Sequence, residues 1–148
     1  MDKERIHLWI ILLASLVVIG GCASAPESSS PVSEASLTNT YWKLLRVGGV
    51  EVRIEDNQRE AHLIFRDDGY VVGHTGCNSL KGQYGVNEGR IGFLAMAATR
   101  MACSGDTTEG PMLDAMKNTA DIVIEGKRMT LLNEQGDSLA ILGAVYLK

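Results

Sequence analysis

The chain has 148 residues, of which 22% are charged and 45% hydrophobic, with a formal net charge of −4. That is the size of one domain with short additions. The mild acidity argues against a nucleic-acid partner, which needs a basic face, and gives no electrostatic attraction to an anionic membrane surface.

Residues 8–19, LWIILLASLVVI, form an apolar run of about a dozen residues, the size of a signal-peptide core. A bilayer span needs about 20 such residues. Ile19-Gly20-Gly21-Cys22 follows at once. Small residues before a cysteine, directly after an apolar run, resemble the lipobox of bacterial lipoproteins. The resemblance implies cleavage after Gly21, lipid on Cys22 and a membrane partner through that anchor. Residues 1–21 are then a signal peptide. Ala23, where Asp would favour the inner membrane, resembles the outer-membrane class facing the periplasm. Residues 22–36 are rich in Ser, Pro and Ala and read as a flexible tether, because they carry too little apolar surface to offset the entropy of ordering.

The folded domain is expected over residues 37–148. Residues 41–47, YWKLLRV, predict a first strand ended by Gly48-Gly49, and residues 50–54 a continuation. Residues 55–60 read as a polar loop and 61–65 as a strand. Asp67-Asp68-Gly69 predicts a hairpin, since Gly supplies positive φ without a Cβ clash. Residues 70–75 return. After Gly76-Cys77-Asn78, strands are expected over 81–86 and 90–94, with residues 95–98 leading into the Thr99–Cys103 segment. Asn78 is read as a turn residue that tolerates left-handed backbone and bonds its own turn. A helix is expected over residues 107–119. Thr107 or Thr108 would cap it, Glu109 would complement its dipole, and Met112, Leu113, Met116 and Ala120 would form its apolar stripe. Residues 121–125, 128–132 and 138–146 predict three closing strands. The fold class is α+β: a small, curved, largely antiparallel sheet or partial barrel with one main helix.

The residues Trp42-Lys43-Leu44, Leu63-Ile64-Phe65, Gly73, Gly76-Cys77-Asn78, Gly82-x-Tyr84, Thr99-x-Met101-Ala102-Cys103, Glu109 and Met129-x-Leu131 resemble, in order and spacing, the META domain family of HslJ-type bacterial lipoproteins. The resemblance implies a small curved sheet with a helix, similar to the lipoprotein that pilots secretin assembly. It implies an envelope location and an association with heat response and novobiocin resistance. It implies no reaction, so no catalytic residue and no cofactor is expected.

Three cysteines are an odd number. With Cys22 taken by lipid, Cys77 and Cys103 remain, and thiols exported to an oxidising compartment tend to pair. The alternative is two buried thiols that pack as small hydrophobes. A metal reading would use His74, Cys77 and Cys103, with His62, but these spacings match no finger and no metal is expected. A nucleophile reading would give Cys77 or Cys103 a base in His74; no third, orienting residue is identifiable. The leading expectation is a non-enzymatic envelope protein whose partner is an envelope protein or a lipid. The alternative is a small cysteine- or metal-dependent enzyme using Cys77, Cys103 and His74.

Overall fold

A computed structural model describes residues 33–53, 59–103 and 108–146. The signal peptide, Cys22, most of the tether and Thr107 lie outside the described residues. In order the elements are β1 (Tyr41–Val47), β2 (Val50–Glu51), β3 (His62–Phe65), β4 (Tyr70–His74), β5 (Ser79–Asn87), β6 (Arg90–Ala98), α1 (Glu109–Asn118), β7 (Asp121–Glu125), β8 (Arg128–Leu132) and β9 (Ser138–Val145). The nine strands form one antiparallel sheet in the order β6-β5-β4-β3-β1-β9-β8-β7, with β2 paired to β1 off this path. The first and last strands pair with each other because β1 and β9 run side by side from Tyr41↔Val145 to Val47↔Ala140.

The sheet coils into a partial barrel. Its free edges, β6 and β7, approach where the Ile91 amide donates to Asp121 Oδ1 at 3.4 Å. No ladder joins the two strands. One face of the coil is lined by Trp42, Leu44, Leu63, Phe65, Val71, Met129, Leu131 and Leu142, and α1 packs Met112, Ala115 and Met116 into the same core. Alternation along β3 and β8 follows from the two-residue strand repeat. In β1 the repeat slips: Leu44 pairs with Leu142 but Arg46 with Ile141, so Leu45 is a bulge. Leu45 and Arg46 then both face out while Val47 turns in again, as an inserted residue requires.

Three elements depart from the expected bounds. Among the described residues packing is already present at Ala35, two residues before the expected start at Leu37: Ala35 is buried and its amide donates to Gly126 O at 2.7 Å. Of the expected continuation over residues 50–54, Val50–Glu51 is strand, residues 52–53 are not, and residue 54 lies outside the described residues. Strand β6 runs on to Ala98, because a bulge lets it. Between Gln83↔Leu94 and Lys81↔Ala97, β6 carries one residue more than β5, and Ala95 takes φ +47°. Bulges are common on edge strands, where they blunt the pairing edge.

Candidate functional site

The residues picked out from the sequence converge where the β4–β5 turn meets the segment after β6 and the start of α1. The turn is Thr75-Gly76-Cys77-Asn78. Gly76 takes φ +99°, so the left-handed position belongs to Gly76 and not to Asn78. Thr75 holds the turn. Its amide donates to Asn78 O at 2.9 Å, and its hydroxyl accepts from the Asn78 amide at 2.9 Å. That hydroxyl can then donate to Glu109 Oε2, 2.7 Å away.

Asn78 is 1% exposed, and its side chain reaches away from its own turn. Its Oδ1 accepts from the Thr99 hydroxyl at 2.7 Å and from the Met101 amide at 2.8 Å. Its Nδ2 donates to Glu109 Oε2 at 2.8 Å and to Met101 O at 3.4 Å. One buried amide therefore joins three separate elements. Such a group belongs in a core only when its bonds are made. Among the described residues no buried side-chain polar atom lacks a partner.

Cys77 and Cys103 are joined by a disulfide, with Cα atoms 5.9 Å apart. The Asn78 Nδ2 lies 3.6 Å from Cys77 Sγ and 3.5 Å from Cys103 Sγ. In this form neither sulfur is a nucleophile or a metal ligand. The bridge spans a sequence separation of 26, for which the chain-entropy model gives about 3.5 kcal/mol. The Cys77→Ala/Cys103→Ala double variant is expected to lose roughly this much stability, read from urea midpoints beside the oxidised parent. A loss below about 1 kcal/mol would show that the bridge constrains little.

His74 does not join the sulfurs. Its Nδ1 accepts from the Gly76 amide at 3.1 Å, which fixes the neutral ring with its proton on Nε2. His62 pairs with His74 across β3 and β4, their ring centroids 6.5 Å apart, and Tyr41 stacks on His62 at 4.4 Å. These histidines are packed strand residues. Burial and the Glu60 carboxylate beside it push the Tyr41 phenol up to about 12. Burial, then the charges of Arg59 and His62, lower the His74 pKa from the usual 6.5, and Glu109 opposes them. The unfolded chain then binds a proton at a higher pH than the folded one. Stability from His74 is full above about pH 6.5 and falls as pH drops from there through the folded-state pKa. Urea midpoints between pH 7.5 and pH 5 are expected to decline, and less so in His74→Gln. An equal slope in both proteins would assign the decline elsewhere.

The other motif residues work through the backbone or through packing. Gly82 lies against Met96. Tyr84 donates its hydroxyl to Arg66 O at 2.8 Å and meets Phe65 edge to face at 5.1 Å. Met101 contributes its amide and carbonyl, while the residue is 60% exposed, and Ala102 is exposed. Thr108 occupies the N-cap position of α1, and its carbonyl accepts from the Met112 amide at 2.9 Å, but its side chain caps no helix amide. Its hydroxyl donates to Thr75 O at 2.5 Å, tying the helix start to the turn.

Glu109 has a role that reading it as a dipole partner alone misses. A carboxylate oxygen of Glu109 and both sulfurs lie within 4.8 Å of one another. The only local signal was an acidic residue opening a helix, six residues after Cys103; nothing along the chain points from it to Cys77. Away from this junction, a shallow cleft of about 280 Å³ opens at the far end of the β5–β6 hairpin, lined by Gly85, Val86, Arg90, Gly92, Leu94 and Ala120.

The META domain model matches residues 35–146. No curated protein matches the chain significantly. Among solved structures, the chain is similar to a protein from Burkholderia xenovorans determined by NMR, at 23% identity and TM-score 0.59, over 80% of this chain and 98% of that one. A second protein determined by NMR is 19% identical with TM-score 0.57, over 72% of this chain and 90% of the other. At these identities the likeness is one of fold. The family match starts at Ala35, the first buried residue among those described, and takes in the whole junction of Thr75, Asn78, Glu109 and the two cysteines, so this chain belongs to the META domain family.

Proposed function

We propose that the chain is a lipid-anchored protein of the cell envelope, held at Cys22 in the outer membrane and facing the periplasm, whose META domain binds another envelope component and carries out no reaction of its own. The disposition of the three cysteines carries this reading. Cys77 and Cys103 are bonded to each other, which suits maturation outside the reducing cytosol. Cys22, the third, follows the apolar run after Gly20 and Gly21. A binding role is supported by the edge of β6, which no strand pairs among the described residues: there Leu94 is 55% exposed, and Val86 of the neighbouring β5 is 67% exposed beside the hairpin cleft. Open strand edges with apolar neighbours take extended peptides or lipid tails. The buried polar groups of the junction are occupied with one another, which supports a structural use for them. Heat and novobiocin, suggested by the family resemblance, are the stresses under which to seek a phenotype.

Metabolic labelling with an alkyne fatty acid tests the anchor. The parent chain is expected to take up label and sediment with membranes, and Cys22→Ala to do neither. Unchanged sedimentation of Cys22→Ala would rule out the anchor.

A further inference from the structure

The sulfurs of Cys77 and Cys103 and a carboxylate oxygen of Glu109 lie within 4.8 Å of one another. They come from the β4–β5 turn, the segment after β6 and the first residue of α1. All three residues are half-buried, so a small solute can reach them. Two thiolates and a carboxylate make a donor set suited to zinc and related thiophilic cations. A tetrahedral zinc holds each sulfur at about 2.3 Å, which sets two thiolates roughly 3.7 Å apart. Opening the disulfide to that separation needs a side-chain movement of about 2 Å, which χ1 rotation can supply.

The surroundings also fit. The Asn78 Nδ2 lies 3.6 Å and 3.5 Å from the two sulfurs and donates to Glu109 Oε2 at 2.8 Å. A single buried amide thus touches every prospective ligand. Thr75 Oγ1 stands 2.7 Å from the same carboxylate oxygen. Donors behind the ligands orient them and stabilise thiolate charge, as outer groups do in metal centres. Asn78 is in turn held by Thr99 and the Met101 backbone, so these donors survive reduction if the junction does.

We propose that the reduced form of this domain binds one thiophilic divalent cation of the zinc class through Cys77, Cys103 and Glu109, with a fourth position open to water. The site is exclusive with the disulfide. A dithiol reductant opens the bridge by forming its own cyclic disulfide and leaving two cysteine thiols. Metal binding then releases the two thiol protons and forms two metal–sulfur bonds. His74, the obvious imidazole in the sequence, is not in this group: the donor atoms within 4.8 Å of one another belong to Cys77, Cys103 and Glu109. The inference stands apart from the anchoring of Cys22.

The test uses the full chain in detergent with Cys22→Ser, so that two thiols remain. A phosphine reduces it, taking up the oxygen of water and leaving two thiols. Cobalt is then titrated in. The expected result is a sulfur-to-cobalt charge-transfer band and tetrahedral visible bands that saturate at about one equivalent and vanish on adding zinc. The oxidised protein and the Cys77→Ser/Cys103→Ser variant should give no such bands, and Glu109→Gln should weaken binding at least tenfold. Circular dichroism of the reduced chain, with and without zinc, is read alongside. No saturable thiolate band from a folded reduced chain overturns the proposal. So does a chain that unfolds on reduction and does not refold with zinc, or a Glu109→Gln variant that binds as tightly as the parent.

Discussion

Gly73→Ala is expected to destabilise the domain by about 4 kcal/mol or more, and to leave little folded protein at 37 °C. A Cβ at Gly73 would stand 2.1 Å from His62 O, 3.1 Å from His62 C and 3.2 Å from Leu63 Cα. All three atoms are backbone of β3, the neighbouring strand, so no side chain can swing aside. The only relief is to part β3 from β4, and that pairing places Leu63, Phe65 and Val71 in the core. Gly82→Ala is the control. There the Cβ first meets Met96 Sδ at 2.2 Å, with Met96 Cα at 3.0 Å. A flexible thioether on an edge strand can move, so about 1–2 kcal/mol is expected. Urea unfolding of the two variants decides the matter. If Gly73→Ala costs no more than Gly82→Ala, the close approach of β4 to the His62 carbonyl is not a constraint on the fold.

Asn78→Asp is expected to cost at least about 3 kcal/mol at pH 7, although it changes only an amide to a carboxylate of the same shape. The oxygen that accepts from Thr99 and Met101 is kept. The nitrogen that donates to Glu109 Oε2 at 2.8 Å is lost, and two carboxylates face each other in its place. Like charges that close cannot both ionise easily, and the pair would take up a proton. The sign follows: the variant's folded state holds an extra proton, so its deficit relative to the parent should shrink as pH falls from 7 towards about 4. Asn78→Ala should show the deficit without the pH dependence. Matching pH profiles for the two variants would remove Glu109 from the account.

Much of the fold was legible because it rests on neighbours along the chain. Alternation in His62–Phe65 and Arg128–Leu132 places one face in the core. Val47↔Val50 closes around Gly48 and Gly49, both at positive φ, and Asn87↔Arg90 closes around Glu88 and Gly89, likewise. These are tight turns whose twist matches that of the strands. Met112 and Met116 fall one helical turn apart and share a buried face. The bulges at Leu45 and Ala95 were not legible. Each answers to a partner strand: Leu45 lies over Gly143 in β9, and Ala95 gives β6 its extra residue against β5.

The junction was legible as a set of residues and not as an arrangement. Asn78 read as a turn former, whereas Thr75 and Gly76 shape that turn and Asn78 serves a longer reach. His74 read as the nearest base or ligand to the sulfurs, whereas Glu109 holds that place. By itself the sequence determined the α+β class, the strands and turns and the span of the helix, since period, φ preference and capping act over a few residues. Only the tertiary structure decided which side chains meet at Asn78 and what stands beside the sulfurs. The contacts of Asn78 with Thr99 and Glu109 join positions 21 and 31 residues apart, and no local preference encodes a distance across three elements.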